Sequence, residues 1–237
     1  MLYHRFMARA LAIETSGRIG SVAVVEDGRV LGEEQFPHGL QHAAEILPRI
    51  DRLCRQQSWG PRDIGDLYVS VGPGSFTGLR IGVTLAKTIA FATGARIVAV
   101  PTVRVLAHNP PAQSRHLIIV LDAKREQIFT ARVERQDDRW VESEPAHLDS
   151  LAAMLARSPR PVYLLGEGVP YHRSFIPADD PSVIVTPAES WRPRAAAVAL
   201  EGRRLAAEGH FTDPDRLAPL YIRRPEAEEK WEQTHRA

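Results

Sequence analysis

The chain has 237 residues, 44% of them apolar and 25% charged, which is the balance of an ordinary globular protein with enough length for a real core. Its formal net charge of +1 offers no global field to hold nucleic acid. The single cysteine, Cys54, excludes an intramolecular disulfide and a four-cysteine zinc site, and fits a reducing, cytoplasmic setting.

In chain order, Met1 to Arg9 reads as a short tail without the apolar core of a signal peptide. Ala10 to Thr15 is a buried strand. Ser21 to Val25 and Arg29 to Gln35 are two more, joined at Asp27-Gly28, a pair that favours positive φ in a hairpin turn. Gln41 to Gln57 carries Ala43, Ile46, Leu47, Ile50, Leu53 and Cys54 on one helical stripe. Pro48 inside that stripe should kink the helix or mark its start. Leu67 to Val71 is a strand, followed by a glycine-rich turn and an apolar helix from Thr77 to Ala92. Ile97 to Val100 and a short helix, Thr102 to Ala107, close a first half at the proline-rich segment from Asn109.

The second half repeats that order. Leu117 to Asp122, Gln127 to Val133 and Trp140 to Glu142 are strands, Leu148 to Arg157 a helix, and Val162 to Leu165 a strand. Two related lobes, residues 1–109 and 110–237, are therefore expected. The second would end in a helix over Arg194 to Glu208 and a charged, frayed tail from Pro225. No stretch of 18 uncharged apolar residues occurs, so no membrane span is expected.

The most informative segment is Gly72-Pro73-Gly74-Ser75-Phe76-Thr77-Gly78-Leu79-Arg80. Pro73-Gly74 suits a tight turn, and Ser75 or Thr77 can cap the helix that follows. Free N–H groups at a helix start, with Arg80 one turn in, could meet an anion. The segment is not a Walker loop, because no lysine follows the last glycine, nor a dinucleotide fingerprint, because its third glycine comes one residue late. Thr77, Arg80, Thr84 and Lys87 form a polar strip on the helix. Phe76, Leu79 and Val83 form one apolar flank, and Ile81, Leu85, Ile89 and Ala92 the other. Between the flanks lie Gly78, Gly82, Ala86 and Ala90, spaced for the close approach of another backbone. The apolar arc spans roughly 220°, about twice what a one-sided surface helix needs. One flank covers a sheet, and the other needs a helix of the same chain or a partner protein.

Glu14 and Asp122 end equivalent strands and could bracket Mg²⁺ and phosphates, with Thr15, Ser16, Ser75 and Asp122 as nucleotide or anion contacts. Each acid could instead cap the turn that follows it. His38 and His42 have metal-pair spacing, but Pro37 and Gly39 argue against a shared helix and no third ligand is evident, so no metal is assigned. Ser75 is not in a nucleophile elbow, so no catalytic residue is assigned. Tyr221-Ile222-Arg223-Arg224 is a basic patch, most simply a final strand with a solvated rim.

Leu11-Ala12-Ile13-Glu14-Thr15-Ser16, His42 six residues before Pro48, the block from Gly72 to Gly82, Leu121-Asp122-Ala123-Lys124 and Pro219-Leu220-Tyr221-Ile222-Arg223 together resemble the bacterial TsaB family, also called YeaZ. The resemblance spans nearly the whole chain. It implies an α/β fold of actin-like ATPase type, with two RNase-H-like lobes and mixed sheets. It also implies a non-catalytic scaffold in the synthesis of N6-threonylcarbamoyladenosine beside the tRNA anticodon. The partners it implies are the catalytic subunit TsaD, the ATPase TsaE, a second copy of the chain, and tRNA through the complex. No cofactor of its own follows, although ATP or ADP with Mg²⁺ is expected at the partner interface. The helix from Thr77 to Ala92 would carry the contact, through Arg80, Ile81, Leu85 and Ile89, with Gly78 and Gly82 permitting close packing. The competing class is an enzyme acting alone, either a phosphotransferase using Glu14 and Asp122 or a metallopeptidase.

Overall fold

The computed structural model describes residues 9–37, 42–137 and 139–223. The expected N-terminal tail, His38 and the charged tail from Pro225 lie outside them. In chain order the elements are β1 (Arg9–Glu14), β2 (Ile19–Glu26), β3 (Arg29–Pro37), α1 (His42–Gln56), β4 (Asp66–Gly72), α2 (Phe76–Thr93), β5 (Arg96–Pro101) and α3 (Thr102–Leu106). They continue with β6 (His116–Asp122), β7 (Ile128–Gln136), β8 (Arg139–Asp149), α4 (Leu151–Arg157), β9 (Val162–Leu165), β10 (Val183–Val185) and α5 (Ala195–Ala207).

Both halves build the same sheet. The first runs β3-β2-β1-β4-β5, and the second runs β10-β9-β6-β7-β8, which is the same order read from the other edge. In each, three strands form an antiparallel meander, then two more join parallel to the first. The β2–β3 turn has Asp27 at φ 49° and Gly28 at φ 82°, the double positive φ that its sequence demands.

Side-chain size decides what covers the first sheet. Along β1, Leu11 and Ile13 face α1 and α2, while Ala10 and Ala12 face α5. The alanine face lets α5 lie close, and Gly202 of that helix is packed so tightly on Tyr68 that a Cβ would overlap the ring. Helix α5 thus belongs by packing to the first sheet, not to the second lobe in which chain order puts it. Helix α3 sits between the lobes, with Val105 in the core under α5, and Val103 and Leu106 against the second sheet.

Four local expectations change. Helix α1 starts at His42 and runs through Pro48, because Ile46, Ile50, Leu53 and Cys54 are all buried along one stripe. That burial outweighs the one hydrogen bond Pro48 cannot donate. Strand β8 extends to Asp149, pairing Leu148 with Phe129 and His147 with Thr130, so α4 begins only after its cap, Ser150. Strand β10, absent from the sequence reading, adds a parallel edge to β9. Residues 221–223 form no strand.

Candidate functional site

Helix α2 begins where its sequence says it should. Ser75 is the N-cap, and its hydroxyl accepts from the Gly78 amide at 3.3 Å. Gly72, at φ 114°, turns the chain out of β4. The Ser75 amide donates to the Ser16 carbonyl at 2.7 Å, and a Cβ at Gly74 would overlap that same carbonyl. A Cβ at Gly78 would overlap the Thr15 carbonyl oxygen, and one at Gly82 the Thr15 hydroxyl. The small-residue stripe of α2 is therefore used inside the chain, by the β1–β2 turn. The close packing that Gly78 and Gly82 permit goes to Thr15, not to an outside backbone. At the helix start the Ser75 amide is likewise taken by Ser16, and the Ser75 hydroxyl by the Gly78 amide.

What α2 leaves uncovered is its outer strip. Arg80 and Thr84 are exposed, and Ile81, Leu85 and Ile89 are partly exposed, Leu85 and Ile89 also leaning on the core. Phe91 is 95% exposed, and Leu47 on the neighbouring helix α1 is 53% exposed. Phe91 escaped the sequence reading although its signal was present, since a phenyl ring falls on the same strip as Thr77, Arg80 and Thr84. Arg80 is not idle. Its guanidinium lies 3.9 Å from the Phe76 ring centroid, and its Nε donates to the Tyr221 hydroxyl at 2.9 Å. Tyr221 stacks on Phe76 with centroids 4.8 Å apart. Chain 217–223 thereby straps the start of α2, with the Leu220 amide on the Val71 carbonyl and Arg223 donating to the Ala123 carbonyl of the second lobe.

The two acidic strand ends have different surroundings. Glu14 is fully buried, and its Oε1 accepts from the Ser16 hydroxyl at 2.6 Å, while Oε2 has no partner. Burial pushes its carboxyl up to about 7, against the lowering by the Ser16 hydroxyl and amide and the Ser70 hydroxyl. Asp122 is partly exposed and pairs with Lys124 at 2.9 Å and His172 at 3.4 Å. Burial opposes its ionisation, but the Lys124 ammonium and amide and the His172 ring outweigh it and hold the carboxyl below its usual range. Between the turns stands Glu167, which accepts from the Arg18 amide at 2.8 Å, while the Arg18 guanidinium lies over Tyr171. Thr15 and Ser16 thus join Ser75, whereas Asp122 stands with Lys124 and His172 in the other lobe. Among the described residues, no group of three or more His, Cys, Asp or Glu is placed to hold a metal ion, and no helix is long and apolar enough to cross a membrane. Cys54 is buried in the core, where desolvation raises its thiol.

Two sheets of one topology, each a three-strand meander extended by parallel strands, define a two-lobed α/β fold of the actin-like ATPase type. The comparisons with known proteins narrow this. A family model described as TsaD, tRNA N6-adenosine threonylcarbamoyltransferase, matches residues 39–231. The tRNA threonylcarbamoyladenosine biosynthesis protein TsaB of Bacillus subtilis (strain 168) is 31% identical over 226 residues, covering 93% of this chain and 96% of that one. Its namesake in Escherichia coli (strain K12) is 27% identical, over 91% and 94% of the two chains. The solved structure of YeaZ from Pseudomonas aeruginosa superposes with a TM-score of 0.76 at 22% identity, over 91% of this chain and 100% of that one. The chain belongs to the TsaB family of tRNA threonylcarbamoyladenosine biosynthesis proteins.

Proposed function

We propose that this chain is a non-catalytic activating subunit in the synthesis of N6-threonylcarbamoyladenosine next to the tRNA anticodon, and that it works by docking on a TsaD-type catalytic subunit. The observation that carries the reading is the uncovered outer face of α2, where Phe91 is 95% exposed and Ile81, Leu85 and Ile89 are only partly covered, together with Leu47 on the neighbouring helix α1, 53% exposed. Fully burying one such side chain contributes about 2 kcal/mol, so an isolated chain gains by covering the strip. The docking contacts are Phe91, Leu47, Ile81, Leu85 and Ile89, with Arg80 at the strapped end.

The turn at Ser75 supports the non-catalytic half of the reading. Its amide and hydroxyl are consumed by Ser16 and Gly78, and the Glu14 carboxyl beside it sits near neutrality rather than as a fixed anion. On this reading ATP or ADP with Mg²⁺ belongs to the joint surface with the partner, a TsaE-type ATPase and tRNA are engaged through the complex, and the work is cytoplasmic. A second copy of the chain uses the same strip when the catalytic subunit is missing.

Co-purification of the full chain with its TsaD-type subunit tests this. Phe91→Glu should weaken the complex by about 30-fold or more while the far-ultraviolet circular dichroism stays unchanged, because Phe91 is 95% exposed. An undiminished complex would overturn the docking assignment.

A further inference from the structure

Helices α3 and α5 cover the face of the first sheet opposite α1 and α2. Where they meet the β7–β8 hairpin of the second lobe, a cavity of about 540 Å³ opens. Its wall carries four guanidinium groups, Arg104, Arg135, Arg139 and Arg204, together with His108, against two carboxylates, Glu142 and Glu201. Trp140 lines the same space, with the Arg135 guanidinium 5.8 Å from its ring centroid.

Both carboxylates are engaged within the wall. Arg104 Nε donates to Glu142 Oε1 at 2.6 Å. Glu201 is buried, and Arg204 grips it with Nε at 3.1 Å and Nη2 at 2.6 Å. His108 Nε2 lies 3.3 Å from its other side and Arg104 Nη1 lies 3.8 Å away. Burial alone would raise the Glu201 carboxyl, but His108 and Arg204 outweigh it and bring it down to about 2, so it stays an ionised anchor. An anchor of this kind fixes the direction of the guanidiniums without presenting a free carboxylate to a ligand. A guanidinium has five N–H donors, and Arg104 commits only Nε and one terminal nitrogen to these pairs. Arg139 stands at the mouth, 74% exposed and 4.0 Å from Glu208.

We propose that this cavity binds a nucleoside phosphate, with the phosphate on Arg104 and Arg139 and the base against Trp140. Guanidinium groups held in place suit a phosphate by geometry as well as charge. An indole ring offers the base a stacking surface that does not depend on its identity. The volume falls within the range of small-molecule sites. The nucleotide is either free in solution or an exposed residue of an RNA strand. The site goes beyond the docking role, and because it lies on the other face of the sheet, a subunit docked on α2 leaves it open.

The test is a titration of the full chain with adenosine monophosphate, inorganic phosphate and unmodified tRNA, read by tryptophan fluorescence and calorimetry. Adenosine monophosphate should quench Trp140. Arg139→Ala, a surface change that keeps the fold, and Trp140→Leu should each weaken binding about tenfold, and Trp140→Leu should also remove the quench. Phe91→Glu should leave binding unchanged, which separates this site from the docking strip. Competition by tRNA assigns the ligand to an RNA strand, and binding of adenosine monophosphate without such competition assigns it to a free nucleotide. The proposal is overturned if neither nucleotide probe binds, if phosphate alone binds as tightly as adenosine monophosphate, or if both cavity variants bind as the parent does.

Discussion

Changing Glu14 to Gln isolates the energetic consequence of burying one carboxyl. Glu14 has no solvent access, its Oε1 accepts from the Ser16 hydroxyl and amide, and its Oε2 is without a partner. Its folded-state carboxyl is raised from 4.5 to about 7, with burial the largest cause. Below the unfolded value both states hold the proton. Between the two values only the native state holds it, so the unfolded state gains by releasing it and stability falls as pH rises. Above the folded value the loss is complete, at about 3 kcal/mol for a shift of this size. Glutamine keeps the acceptor for Ser16 and cannot ionise. Urea denaturation of both proteins from about pH 3.5 to about pH 8 measures the effect, because every other titrating group cancels in the difference. The variant should match the parent at the acid end and exceed it by about 3 kcal/mol at the alkaline end. Parallel stability curves would refute the assignment of a buried, nearly neutral carboxyl.

Two further outcomes follow from packing and from the strap. Gly78→Ala places a methyl group into the Thr15 carbonyl and should cost about 2–3 kcal/mol by chemical denaturation. Gly94→Ala, at φ 79° with open space around it, should cost only the left-handed backbone penalty of about 1 kcal/mol, and equal losses at the two positions would contradict the packing account. Tyr221→Ala removes the stack on Phe76 and the Arg80 hydrogen bond and should cost about 1 kcal/mol. It should also speed proteolysis within residues 217–223, and unchanged cleavage would show that Tyr221 does not hold the strap.

The parts of this fold that could be read in the sequence are those fixed by local chemistry. Asp27-Gly28 demands its turn, Ser75 caps α2, and the branched runs of β1, β4 and β6 can only be interior strands. What could not be read depends on which distant surface meets which. The stripe Gly78, Gly82, Ala86 and Ala90 announces a close neighbour but not its identity, and Thr15 is the neighbour of the two glycines. Helix α5 follows the second sheet in the chain yet packs on the first, because the alanines of β1 leave a shallow face for it. Strand β8 carries charged and apolar residues without a run long enough to signal a strand, and pairing with β7 extends it. In the candidate site, the apolar flank of Ile81, Leu85 and Ile89 was visible from helical spacing, whereas Phe91 stood unnoticed among polar neighbours. Arg80 is exposed, as its place on the polar strip implies, but its tie to Tyr221 joins positions too far apart in the chain for spacing to reveal.

The central claim is that α2 docks a catalytic partner, and sedimentation velocity of the chain mixed with its TsaD-type subunit tests it most directly. The parent should form a stable complex, and Phe91→Glu should raise the dissociation constant by about 30-fold or more, the equivalent of losing one buried aromatic side chain. A Phe91→Glu complex that sediments and dissociates as the parent does would contradict the account.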